Sequence, residues 1–486
     1  MKRTLPKTSR ATGQALPAFD KSIGTKRMWG IPLVIRQVFP GVVIALLAYL
    51  TFGPVKDPDT FWHLRIGREL PTTWQFSGPD PWNSFATRTW TLHEWLPELL
   101  MAQVAAWGGL PAVAVLMVAA AATLLGVLLA LARQFTSLLM SSLVVALAFL
   151  AMFPSLTPRP HLVTFALAAV TTSAWLGTAA DRRLRWWLIP LTWVWACSHG
   201  MWFIGVAIGA AAVVGMLFAR DLRPLAPRAA LVPIGSLVAA ALTPAGIDTV
   251  LSPLTVRGYT EFVSEWVPPS IFDVTTICAL VLLAVPIITW ARSTSPAGSM
   301  EIMLVLVACG VTMAYSRSVA IGAAMAVPLA ARAIGDFPLP RERRTVREGT
   351  IGAALASVAI ICAAFQSPSV AREPEFVPAA FSAKLDDLPP DTVVCNDYVL
   401  GGWLLWRHPR LKPIIDGRTE LYEIEYVKKI VNWQLAGPRW RDVVTESRCS
   451  VAIVNKDSAI AFDLQNDLGW RQVQTHRDWA LLAPQG

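Results

Sequence analysis

Two aspartates flank a single proline at Asp57-Pro58-Asp59, and the chain continues Thr60-Phe61-Trp62-His63. Asp59 and His63 are four apart, so both lie on one face if Asp59 opens a helix, a start that aspartate favours. Glu94 and Glu98 repeat that spacing farther along. A carboxylate within hydrogen-bond reach of a sugar hydroxyl can take its proton and raise its nucleophilicity. An arginine can hold a phosphate leaving group through paired hydrogen bonds. With Arg159 and Arg317 as the cations, these are the minimum parts for group transfer from a phosphate-activated lipid. Asp57, Asp59 and His63 also form a candidate set for a divalent cation (Mg or Mn), although no ligand spacing here is diagnostic. The blander reading is a solvated acidic loop whose tryptophan-flanked imidazoles, His63 and His93, pack at an interface.

What must position these groups follows from composition. Of 486 residues, 54% are hydrophobic and 15% charged, and mean hydropathy is +0.48. A soluble chain carries about 25% charged residues, so a purely soluble domain is excluded. Charge-free windows at 37–55, 99–132, 134–158, 162–180, 186–219, 229–247, 274–291, 302–316, 318–331 and 349–371 fit membrane crossings, since roughly 20 apolar residues span a bilayer core. The window 186–219 is interrupted at Ser198-His199-Gly200 and reads as a hairpin between two arginine clusters. About eleven transmembrane helices result, with the N-terminus cytoplasmic and the C-terminus extracytoplasmic.

Charge tests this orientation. The cytoplasmic parts carry 21 of the 42 Lys and Arg but 7 of the 33 Asp and Glu. The cytoplasmic parts thus carry 21 against 7, a net of +14, and the outer parts 21 against 26, a net of −5, so the whole positive excess falls inside, as membrane proteins arrange it. That explanation removes nucleic acid as a partner. The expectation is a multi-pass protein of the inner (plasma) membrane, with membrane lipids around it.

The short hairpin legs sharpen the site. Trp186 to Ser198 would make about 20 Å of helix, against a hydrocarbon core about 30 Å thick. The legs on either side of Arg317 are about 22 Å each. His199 and Arg317 are thus expected below the outer surface, where a charge faces protein or a water-filled cavity. Arg159 and His161, between Pro158 and Pro160, join two spans on the same side. An outward-open recess lined by cations and capped by acidic loops follows.

Three domains are expected. Residues 1–29 read as a disordered basic cytoplasmic tail, with the first span a retained signal anchor. Residues 30–371 form the membrane domain, with a long outer loop at 54–109. That loop carries Trp62, His63, His93 and Glu94, and its stretch Thr91–Trp107 has the apolar spacing of an amphipathic interfacial helix. A second loop, 248–273, carries Glu261 and Glu265. Residues 372–486 read as a small soluble α/β domain, with strands near Thr392–Val394, Pro413–Ile415, Ser450–Val454, Trp470–Val473 and Trp479–Leu482. Helices are expected near Glu420–Leu435, Trp440–Glu446 and Ala459–Leu468. Cys395 and Cys449 lie there, either disulfide-bonded or free; Cys197, Cys278, Cys309 and Cys362 sit in apolar windows as small core residues.

These segments together resemble bacterial multispanning proteins of the GT-C glycosyltransferase type. The matching pieces are Asp57-Pro58-Asp59 leading into Trp62-His63-Leu64, Asp80-Pro81, His93-Glu94-Trp95-Leu96, Arg159-Pro160-His161 and Trp195-Ala196-Cys197-Ser198-His199-Gly200. In the tail they are Asn396-Asp397-Tyr398, Gly401-Gly402 and Asp416-Gly417-Arg418. The resemblance covers roughly residues 37–480, and departs where Ser198 replaces a frequent asparagine. It implies a GT-C-like fold, a polyprenyl-phosphate sugar donor and a glycan or glycolipid acceptor of the cell envelope. It also implies a first-loop aspartate as base, here Asp57 or Asp59, sometimes beside a divalent metal. By position, Arg317, Arg159 and His199 become the donor-phosphate groups, with His63, Trp62, His93, Glu94, His161 and Glu265 shaping the substrate site. The expected activity is hexosyl or pentosyl transfer. The competing reading is a non-catalytic lipid-linked glycan flippase or envelope scaffold.

Overall fold

The computed structural model describes residues 33–485, apart from 257–258, 260–263, 295–296, 336, 338–340, 342–343 and 375. The expected N-terminal tail, and Glu261, lie outside the described residues.

Helix α1 (Leu33–Tyr49) leads into α2 (Asp59–Thr73), whose first residue is the second aspartate of the Asp-Pro-Asp run. A two-stranded ribbon, β1 (Ser77–Gly78) with β2 (Trp90–Thr91), then delivers the chain to α3 (Trp95–Ala132). Gly109 sits at φ +62° and breaks α3 into an arm, 95–107, and a following span; a side chain would strain that backbone. The expected interfacial helix is thus the arm of a longer helix. It packs on α2 so closely that a Cβ on Gly67 would lie 1.9 Å from the Glu98 carbonyl.

The bundle continues through α4 (Leu138–Met152), α5 (Leu162–Asp181), α6 (Leu188–Ala196), α7 (Phe203–Phe218), α8 (Ala226–Ala229) and α9 (Leu231–Ala241). Helix α10 (Asp248–Val256) precedes α11 (Val274–Arg292), α12 (Ser299–Ala314), α13 (Val319–Ile334) and α14 (Val346–Val370). Among the described residues, eight helices are long and apolar enough to cross a membrane. Helices α1, α6 and α12 are shorter, and with them each of the eleven expected crossings has its helix. At nine residues, α6 is about 14 Å long, well short of a bilayer core. This is a polytopic α-helical membrane protein.

Helix α13 is the centre of the bundle. Every residue from Val319 to Ala331 is buried, against α4, α5, α11 and α12. Its alanines and Gly322 permit that close approach, as small residues do between membrane helices; a Cβ on Gly322 would lie 1.9 Å from Thr312 Oγ1.

The tail forms the expected α/β domain. After α15 (Ser382–Asp386) come β3 (Val393–Asn396), α16 (Gly401–Arg407), β4 (Lys412–Pro413), α17 (Ile424–Gln434) and α18 (Trp440–Ser447). The chain then closes with β5 (Val451–Asn455), α19 (Ala459–Asn466), β6 (Arg471–His476) and β7 (Trp479–Ala483). The strands run in the order β4-β3-β5-β7-β6. Strand β3 is parallel to β4 and β5, whereas β7 is antiparallel to β5 and β6. Cys395 and Cys449 are disulfide-bonded within it. One apolar cluster joins this domain to the bundle: Phe61 and Leu64 of α2 and Met101 of α3 share a core with Phe381, Trp403 and Ile453.

Candidate active-site cavity

Why α2 starts where it does is also why the acids meet. The Asp57 carboxylate accepts the Asp59 backbone N–H at 3.0 Å, turning the chain into the helix. Its other oxygen accepts the Thr157 hydroxyl at 2.7 Å. Arg159 then binds across the pair, 3.5 Å from Asp57 Oδ2 and 2.7 Å from Asp59 Oδ2. The same guanidinium lies 3.1 Å from Glu265, and Glu265 reaches Arg317 at 3.6 Å. Arg317 stacks over the Trp266 ring at 5.1 Å. Three carboxylates and two guanidinium groups from four separate segments thus form one network.

A second group adjoins it. His63 Nδ1 is 2.7 Å from Glu98 and its Nε2 is 3.8 Å from Glu94. Glu94 also faces His93 at 3.5 Å and His199 at 3.6 Å, and accepts the Gly200 N–H at 3.3 Å. His161 donates from Nε2 to the Ser155 carbonyl, with its ring 6.2 Å from His199. The expected cation set is therefore divided: Asp57 and Asp59 turn to Arg159, and His63 turns to Glu94 and Glu98.

All eleven residues expected at the site line one cavity of about 760 Å³. A smaller pocket of about 290 Å³ shares Arg159, His161, His199 and Arg317 with it and runs on to Ala151, Phe165 and Ile321. Helices α3, α5, α7 and α13 all begin at the cavity, directly after Glu94, His161, the turn at Gly200–Trp202 and the turn at Ser316–Ser318 that carries Arg317. Helix N-termini carry partial positive charge and favour anions.

The two aspartates are electrostatically unlike. Burial raises the Asp59 carboxyl, Arg159 opposes and the Asp57 charge adds to it, leaving it at about 6. Asp57 is also pushed up by burial, but Arg159 and the Thr157 hydrogen bond outweigh that and hold it below the usual carboxylate range. Asp57 is thus firmly ionised, and Asp59 exchanges a proton near neutrality.

Several lining residues escaped the sequence reading. Glu98, fully buried, was visible only as a partner in spacing to Glu94. Tyr398, Thr419 and Glu420 reach the cavity from the tail. Here the tail motifs acquire a role. A Cβ on Gly402 would meet the Pro58 carbonyl at 2.9 Å, and one on Gly417 would meet Asp59 Oδ1 at 2.2 Å. Tyr398 donates to the Gly417 carbonyl at 3.2 Å, tying the two tail loops together. Arg418 is fully buried, pairing with Asp80 and Asp416 at 2.9 Å each and lying between the Trp82 and Trp90 rings. Asp80-Pro81 of the first loop is thereby clamped to the tail.

No protein-family profile matches the chain, and no curated protein matches it. Solved structures do. The archaeal oligosaccharyltransferase AglB from Archaeoglobus fulgidus, in complex with an inhibitory peptide and a dolichol-phosphate, aligns with a TM-score of 0.55 at 11% identity. That alignment covers 88% of this chain and 70% of that one. The Archaeoglobus fulgidus oligosaccharyltransferase in its apo form aligns at 0.54 with 12% identity, over 89% and 70% of the two chains. The same enzyme with Zn and sulfate gives 0.54 at 12%, over 88% and 68%. The chain therefore shares the fold of these archaeal oligosaccharyltransferases, a polytopic helical bundle carrying a C-terminal domain.

Proposed function

We propose that this protein transfers a sugar from a polyprenyl-phosphate donor to a glycan or glycolipid acceptor of the cell envelope. In this reading the cavity opens on the outer side of the plasma membrane. The basic turns at Arg133, Arg182, Arg220 and Arg332, at the far ends of α3, α5, α7 and α13, then lie on the cytoplasmic side. A solved structure of the same fold holds a dolichol-phosphate, a lipid of the donor's chemical class.

The observation that carries the reading is the junction of the two cavities. There Arg159 and Arg317 stand just before the N-termini of α5 and α13, beside the smaller pocket, in which Ala151, Phe165, Val319 and Ile321 supply an apolar lining among polar groups. A phosphate at that junction would meet two guanidinium groups and two helix N-termini, with its lipid tail toward the apolar lining. The sugar would extend into the larger chamber, where Trp62, Trp90, Trp266 and Tyr398 offer aromatic walls.

Asp59 is the base. The acceptor oxygen attacks the anomeric carbon of the donor sugar while its hydroxyl proton passes to Asp59. The bond from that carbon to the phosphate oxygen breaks, and Arg317 and Arg159 hold the polyprenyl phosphate that leaves. Asp57 positions Arg159. Trp62 donates to Asp59 Oδ1 at 3.0 Å and fixes the carboxylate's orientation.

The test is a transfer assay with purified protein in lipid vesicles containing a polyprenyl-phosphate sugar. D59N is expected to lower kcat by about 100-fold or more, and R317A to raise the donor KM more than the acceptor KM. Transfer by D59N at the wild-type rate, or donor flipping without transfer in the wild type, would replace this reading with the transporter.

A further inference from the structure

The two acidic groups of the cavity differ in how their charge is met. Asp57, Asp59 and Glu265 all lie on guanidinium groups. A divalent cation does not fit between them, because Arg159 already stands there. Glu94 and Glu98 have no such partner: among the described residues their ion pairs are with imidazoles alone. Burying two carboxylates without a fixed cation is costly.

We propose that His63, Glu94 and Glu98 hold a divalent metal ion in this chain. Their ligand atoms lie within 4.8 Å of one another, and one nitrogen with two carboxylates is a donor set that Mn²⁺ or Zn²⁺ accepts. The independent sign is Glu98 itself. It is 0% exposed and lines the cavity, yet its Oε2 meets no hydrogen-bond donor, a state that buried carboxylates rarely keep. His63 comes from α2 and Glu98 from the packed N-terminal arm of α3, with Glu94 at the cap directly before that arm. The Gly200 N–H on Glu94 adds a supporting hydrogen bond of the kind that orients metal ligands. Bound there, the ion would supply positive charge on the wall of the sugar chamber, apart from the arginine network.

The probe is Mn²⁺, titrated into chelator-stripped full-length protein in detergent and followed by the electron paramagnetic resonance signal of the free ion. One Mn²⁺ per chain is expected. E98Q and E94Q are each expected to weaken binding by about 100-fold, whereas D57N leaves it unchanged. A thermal melt with and without Mn²⁺ separates lost binding from lost folding: a variant that melts like the stripped wild type but gains nothing from Mn²⁺ supports the site. Absence of wild-type binding at millimolar Mn²⁺ overturns the proposal, as does retained binding in both glutamate variants or its loss in D57N. The readout needs neither donor nor turnover. A chain that binds Mn²⁺ but transfers no sugar would keep this site and lose the glycosyl-transfer reading.

Discussion

Gly417, in the C-terminal domain, lies directly against Asp59, at the start of the first long helix after the opening span. A Cβ at position 417 would come within 2.2 Å of Asp59 Oδ1 and 3.0 Å of Trp62 Nε1. The small domain therefore forms part of the seat that holds the proposed base. G417A is expected to displace Asp59 and lower transfer roughly 10- to 100-fold, the cost of an ångström-scale misplacement of a reacting group. The melting temperature of the variant, measured alongside transfer, should change little. A large fall in both would mean that the glycine serves folding instead.

The raised Asp59 carboxyl sets a pH dependence. With its value at about 6, the rate under subsaturating substrate should fall about tenfold per pH unit below that point, as for a single essential ionisation. D57N removes the neighbouring negative charge that helps to raise Asp59, so the acid limb should move to lower pH. The stability effect runs opposite to that of an aspartate held below its usual range, because burial outweighs the Arg159 ion pair at Asp59. Burial favours the protonated form, so this group's contribution is fully present below pH 4 and is lost as pH rises through about 6. Rate profiles and melts of wild type and D57N between pH 4.5 and 8 check both.

R159A should destabilise the protein as well as inactivate it. It leaves Asp57, Asp59 and Glu265 without the guanidinium they share, and an unpaired buried charge costs about 3–5 kcal/mol. R159K should recover part of the stability but little transfer, because a point charge cannot bridge several carboxylates as a planar fork does. Thermal unfolding and the transfer assay, read together, separate the two effects.

The disulfide supports the tail alone. C395S or C449S should cost about 2–4 kcal/mol in the unfolding of the C-terminal domain, and reductant should do the same to the wild type. Tryptophan fluorescence reports it through Trp433 and Trp440, which share a buried cluster with Cys395 and Cys449.

Much of this architecture was written in the order of residues. Apolar windows mark each crossing, because a bilayer demands length and apolarity locally, whatever the packing. Alternating patterns in the tail mark its five strands and three longer helices, since half-buried elements repeat their apolar positions at fixed intervals. The acids and imidazoles of the cavity were also legible: His199 is conspicuous in a charge-free window, and Asp57-Pro58-Asp59 directly follows the first span.

Which of them meet was decided only in three dimensions. Arg159 and Arg317 are far apart in the chain and both meet Glu265, which comes from a third loop, so no spacing predicts that pairing. His63 could be grouped with Asp59 by its four-residue interval, yet it faces Glu94 and Glu98, because α2 packs on the arm of α3. Arg418 gave no local sign of its place between Asp80 and Asp416, and Gly417 showed none of its contact with Asp59. Periodicity is a property of one segment and survives in the sequence; the meeting of loops depends on how rigid helices of particular lengths pack, and that exists only once the chain is folded.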